Sequence, residues 1–127
     1  MQAIAAYQVG PSAQEPFPAI AYTLVVDSAG NVYLCNDLWL RTWQNGAYVG
    51  GIARNVSHVG ICYIGNYAPN LAQVKGMARA HVWCERQLGR ELSLEGHKDA
   101  YPTVCPGPVW PAWRAEVIRW IEVYRRE

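Results

Sequence analysis

His97 and Cys105 stand eight positions apart in the stretch Gly96-His97-Lys98-Asp99-Ala100-Tyr101-Pro102-Thr103-Val104-Cys105-Pro106-Gly107-Pro108. Neutral imidazole and thiolate are ligands that zinc prefers, and the prolines limit how far the segment can move them. Histidine occurs only three times in 127 residues, so one facing a Cys-Pro-Gly-Pro turn is a candidate ligand. The spacing alone suits equally well a loop histidine bonded to backbone, followed by a buried structural cysteine. A catalytic zinc takes three protein ligands and keeps a position for water. Two visible candidates leave that set incomplete.

Three further stretches carry polar residues in a suggestive order. Pro18-Ala19-Ile20-Ala21-Tyr22 leads into Leu24-Val25-Val26 and the turn Asp27-Ser28-Ala29-Gly30. Leu34-Cys35-Asn36-Asp37-Leu38 is followed by Thr42-Trp43, and then by Asn55-Val56-Ser57-His58-Val59-Gly60-Ile61-Cys62. With the His97/Cys105 loop, whose pattern is roughly Gly-His-(Arg/Lys)-Asp…Cys-Pro-Gly, these stretches resemble the type-2 N-acetylmuramoyl-L-alanine amidases. That family includes phage lysozyme-type amidases and peptidoglycan recognition proteins. The resemblance runs from about Ile4 to Trp113.

The resemblance implies zinc-dependent hydrolysis of the amide bond between N-acetylmuramic acid and L-alanine in peptidoglycan, as in an endolysin. His97 and Cys105 would hold the zinc. Tyr22 matches the tyrosine whose hydroxyl activates water or steadies the oxyanion, although a strand tyrosine packing in the sheet has the same appearance. Thr103 stands where phage enzymes carry a lysine and recognition proteins often a threonine. A hydroxyl there donates one hydrogen bond to an oxyanion and brings no charge. Amidases with a different active-site set carry a glutamate near Cys62 or Ile64; none is present, which favours the tyrosine-type site. Trp43, Arg54 and Asn55 border a long loop and would contact sugar and stem peptide, though a rim tryptophan is as often simple packing.

The sequence also departs from the family. Its first zinc ligand is a histidine on a strand before the first helix. Ile4-Ala5-Ala6-Tyr7-Gln8-Val9-Gly10-Pro11 resembles the end of that helix, so the N-terminal ligand strand is expected to be missing. Thr23 stands where a histidine usually follows the tyrosine, and Gln8 and Gln44 also replace histidines of many relatives. The third ligand is therefore not identifiable. Two readings follow: a zinc amidase, or a catalytically inactive peptidoglycan-binding module that has lost its metal. A sheet lacking one strand is expected to rearrange or to pair with a second copy as a homodimer.

Composition sets outer bounds. The length suits one domain with a real core, here residues 1–127. A net charge of +1 gives no strong pull toward nucleic acid or membrane, and no apolar run is long enough to span a bilayer. The N-terminus has no charged segment leading into an apolar core, so cytoplasmic accumulation with action on the cell wall is expected. Cys35, Cys62 and Cys84 lie inside apolar patterns, which suits buried free thiols better than disulfides.

The elements that position these residues follow from periodicity. Gly10 to Pro18 reads as a loop. Ile20 to Val26 is predicted as a strand with Ile20, Tyr22, Leu24 and Val26 on one face, turning at Asp27–Gly30 into a partner strand over 31–35. Residues 41–54 form a long glycine-containing loop and therefore a cleft wall. Val59 to Ile64 is a third strand. Asn70 and Gln73 make a capping box for a helix reaching about Gly89, with Val74, Ala78 and Val82 inward. Leu92 to Glu95 is predicted as a short strand delivering His97. Pro111 opens a C-terminal helix over 111–127, with Trp113, Val117, Trp120, Ile121 and Tyr124 at helical spacing. His58 and His81 read as structural histidines. The pattern predicts an α/β fold, a mixed sheet flanked by helices, with the Tyr22, Val59 and Leu92 segments in one sheet.

Overall fold

The computed structural model describes residues 22–39, 48–49, 52–53, 57–65, 68–100 and 102–127. The loop expected over 10–18, Ile20, Gln8, Trp43, Gln44, Arg54 and Asn55 lie outside them.

The hairpin turn is built by one carboxylate. Asp27 Oδ1 accepts the amides of Ala29 and Asn31, both at 2.9 Å, and Asp27 Oδ2 accepts from Asn31 Nδ2 at 2.9 Å. Gly30 closes the turn at φ 83°, the left-handed conformation that glycine adopts without a Cβ penalty. The turn joins β1 (Leu24–Val26) to β2 (Val32–Leu34). Backbone bonds from Asp27 to Asn31 O and from Cys35 to Thr23 O mark the pair as antiparallel.

β5 (Ile61–Tyr63) lies on the other side of β1, in the order β2-β1-β5. Leu24 donates to Gly60 O and Ile64 donates to Val26 O, so the two strands run in the same direction and the sheet is mixed. The predicted one-faced alternation in β1 is corrected: Leu24, Val25 and Val26 are all buried, as befits a central strand covered on both faces. Tyr22 precedes the strand rather than belonging to it. Within the segment predicted as a long loop, β3 (Tyr48–Val49) and β4 (Ile52–Ala53) pair antiparallel, Tyr48 opposite Ala53 and Val49 opposite Ile52.

Two compact units are present, Met1–Val25 with Tyr33–Cys62, and Val26–Val32 with Tyr63–Glu127. The second holds the three helices that are fully among the described residues. α1 (Leu71–Leu88) starts at the predicted capping box, with Gln73 N donating to Asn70 Oδ1 at 2.8 Å and Asn70 N to Gln73 Oε1 at 3.1 Å. It ends at Gly89, φ 69°, whose amide returns to Glu85 O. Val74, Ala78 and Val82 are buried as expected. α1 sits directly on the turn: a Cβ on Gly76 would come within 2.7 Å of Gly30 O and of Val26 Cγ1. Asn70 Nδ2 donates to Ser28 O, Gln73 Nε2 to Ile64 O and Arg79 Nη2 to Gly30 O.

α3 (Trp110–Arg125) packs along α1, with proline in its first turn. Val117 and Ile121 are buried at the centre of its stripe. Lys75 Nζ lies 4.3 Å from the Trp120 ring centroid and Arg79 Nη1 reaches Tyr124 Oη at 3.1 Å, so basic stems of α1 cover aromatics of α3.

No strand forms over Leu92–Glu95, which corrects that expectation and its place in the sheet. The reason lies in where the backbone groups go. Leu92 N donates to Glu85 Oε1 at 2.8 Å, Leu92 O lies 3.0 Å from His81 Nε2, and Leu94 O accepts from Arg114 Nη2 at 3.1 Å. Helix side chains take the positions that a neighbouring strand would need. His81 is thus buried and bonded, consistent with a structural role. Among the described residues no helix is long and apolar enough to cross a membrane.

Candidate active site

His97 opens a single helical turn, α2 (His97–Ala100). The amide before it, Gly96 N, donates to Asp99 Oδ2 at 2.7 Å, and the amide after it, Lys98 N, donates to Cys105 O at 2.7 Å. The second bond folds the loop back on itself and sets Cys105 beside the histidine turn. The Cys105–Pro106 peptide is cis, and Gly107 follows at φ 115°.

His97 is half-buried with its Nε2 buried, and burial pushes its imidazole below the usual histidine pKa. The ring therefore stays neutral, the form that binds metal, to lower pH than a free histidine. Cys105 is exposed as a residue, yet partial burial of its sulfur pushes the thiol above its ordinary value. Thr103 Oγ1 accepts from Cys105 N at 3.3 Å. That bond occupies an oxygen lone pair and leaves the hydroxyl proton available to another acceptor.

Below the loop lies a row of aromatic rings. Asp99 Oδ2 also accepts from Trp110 Nε1 at 2.9 Å. The Trp110 ring meets Trp113 edge-on at 4.4 Å, and Trp113 meets Tyr63 of β5 at 5.6 Å. Gly96 lies flat against Trp110, where a Cβ would sit 2.5 Å from Nε1. Asp99 enters the sequence pattern only as the last residue of Gly-His-Lys-Asp, and Trp110 lies outside the residues that pattern singles out. The available signal was its position three residues before Trp113, one turn earlier on the same stripe.

Of the other expected site residues, Trp43, Arg54 and Asn55 lie outside the described residues. Tyr22 belongs to the first unit, where its carbonyl accepts from Asn36 Nδ2 at 2.7 Å. His58 pairs with its neighbour, Nδ1 2.7 Å from Ser57 Oγ, in keeping with a structural role.

Imidazole and thiol fit zinc in donor type, and they fall short of it in number. Among the described residues no three His, Cys, Asp or Glu side chains group as a metal site. All three histidines and all four cysteines are among those residues, and of the carboxylates only Glu15 lies outside them.

The sequence matches the N-acetylmuramoyl-L-alanine amidase family over residues 2–108. Comparison with curated proteins gives no match. Among solved structures the chain resembles N-acetylmuramoyl-L-alanine amidase LysC from Clostridium intestinale URNW, with a TM-score of 0.60 and 19% identity over 77% of this chain. It resembles the endolysin amidase LysCS of the same organism equally, with the same TM-score, identity and share of this chain. The chain spans 64% and 63% of those two proteins' lengths. With its mixed sheet, its covering helices and its His-Cys loop, the chain belongs to the N-acetylmuramoyl-L-alanine amidase family.

Proposed function

We propose that the protein hydrolyses the amide bond between N-acetylmuramic acid and L-alanine in peptidoglycan. The observation that supports this most is the loop in which Lys98 N binds Cys105 O, holding an imidazole and a thiol on one short segment. His97 and Cys105 are proposed as two ligands of a zinc ion whose third protein ligand is not identifiable in this chain. Zinc, when bound, polarises the scissile carbonyl and lowers the pKa of bound water to about 7. Thr103 is proposed to donate its hydroxyl proton to the developing oxyanion. Tyr22 is proposed to assist with water or oxyanion, and Trp43, Arg54 and Asn55 to bind glycan and stem peptide.

A second reading, a binding module without catalysis, is favoured by the lack of a third ligand among the described residues. One experiment separates the two. Purified protein is analysed for zinc and incubated with peptidoglycan, and newly freed L-alanine amino groups are counted alongside protein retained on the sedimented wall. Freed amino groups, abolished by a chelator, support the amidase. Retention without release supports the binder, and the absence of both release and retention overturns both readings.

A further inference from the structure

We propose that Asp99 and Trp110 are positioning residues for the His97/Cys105 pair, an inference that rests on the amidase reading for what the pair does. His97 is bracketed by two backbone bonds. The amide ahead of it is held by Asp99 Oδ2 at 2.7 Å, and the amide behind it by Cys105 O at 2.7 Å. The same Asp99 oxygen takes the indole N–H of Trp110 at 2.9 Å. Trp110 is only 4% exposed and is the first residue of α3, so the carboxylate transmits the position of a long, packed helix to the peptide that orients His97.

Gly96 is part of the device. The contact that a Cβ there would make, 2.5 Å from Trp110 Nε1, shows that the indole reaches Asp99 only because residue 96 has no side chain. Asp99 itself is exposed on its outer side, and the apolar stripe of α3 is buried through Val117 and Ile121 without it. Its bonds therefore act on the loop. Carboxylates that fix the backbone around a ligating histidine work by limiting the ring's freedom, not by touching substrate.

The test uses the full chain without metal, in wild type and in Asp99→Ala, Asp99→Asn and Trp110→Phe. Three quantities are read: exchange of the Lys98 amide, iodoacetamide labelling of Cys105 relative to Cys84, and exchange of α1 amides. In Asp99→Ala and Trp110→Phe the Lys98 amide should exchange about tenfold faster, the effect of one lost charge-assisted hydrogen bond, and Cys105 labelling should rise. The α1 amides should not change. Asp99→Asn keeps an acceptor oxygen and should restore most of the protection.

Unchanged Lys98 exchange in folded Asp99→Ala would overturn the proposal. So would equal loosening of α1, or global unfolding of both Asp99→Ala and Trp110→Phe, since either makes these residues supports of the whole fold. Hydrolysis of a muramoyl peptide supplies the independent arm, with kcat falling in Asp99→Ala and KM holding. A wild type that cuts nothing, yet shows the Asp99 effect on exchange, refutes the amidase reading and leaves the positioning role standing. An active wild type indifferent to Asp99→Ala refutes the positioning role alone.

Discussion

Arg125 grips the carboxylate of Glu85 with two nitrogens, Nε on Oε2 at 3.0 Å and Nη2 on Oε1, joining the last turn of α3 to the last turn of α1. Glu85 is 7% exposed and also accepts from Leu92 N, while His81 Nε2 lies 3.1 Å from it. One carboxylate therefore ties two helices to the segment that leads into His97.

Removing that carboxylate should be costly. Glu85→Ala takes an acceptor from a guanidinium and from a backbone amide, and breaking one side of a buried pair costs about 3–5 kcal/mol. Arg125 keeps some solvent and a second partner in Glu122, so the expected loss is near the lower end. Urea unfolding followed by circular dichroism measures it.

Acid should undo the same link. The Arg125 hydrogen bond, first among several causes, holds the Glu85 carboxyl down at about 2 against an ordinary 4.5, with burial opposing it. A folded pKa below the unfolded one stabilises the fold fully above pH 4.5, and the stabilisation is lost as pH falls toward 2. Thermal midpoints of wild type and Glu85→Gln should therefore differ most near neutrality and converge through that window. A constant difference down to pH 2 would assign the effect to packing.

The four thiols should label in a definite order. Cys105 is exposed, Cys35 and Cys62 are half-buried, and Cys84 is buried with its thiol pushed up to about 11. Alkylation mapped by mass spectrometry should mark Cys105 first and Cys84 last. If zinc is held as proposed, added zinc slows labelling of Cys105 alone and a chelator restores it.

Gly96→Ala should be severe for so small a change. The added methyl meets the Trp110 indole, and overpacking of this kind typically costs about 1–3 kcal/mol. Tryptophan fluorescence and the thermal midpoint should both shift, with zinc uptake falling alongside. Ala substituted for Gly89 meets no neighbouring atom within 4 Å, so its cost comes from the positive φ alone.

Sedimentation tests the expected homodimer. β2 lies at one edge of the described sheet with Val32, Tyr33 and Leu34 all exposed, a surface suited to a second strand. A concentration-dependent dimer lost in Leu34→Lys is the expected result; a monomer at all concentrations refutes it.

The features legible in the sequence are those whose signal is local. Asn70 and Gln73 cap α1 within one turn, Gly89 ends it, Asp27 and Gly30 close the hairpin, and Pro111 opens α3 ahead of a 3.6-residue stripe. The His97/Cys105 loop was legible for the same reason, since its bond from Lys98 to Cys105 spans only seven residues. Three things required tertiary structure. β1 is the central strand, between β2 and β5, and Leu24, Val25 and Val26 are all buried, which its own alternation cannot encode. Leu92–Glu95 looks like a strand, but Glu85, His81 and Arg114 take its backbone groups from helices elsewhere in the chain. Asp99 became a support for His97 only once α3 had brought Trp110 beneath it. Short-range hydrogen bonds and periodicity are written in neighbouring residues, whereas the partner of a backbone amide or a buried carboxylate is chosen by packing between distant segments.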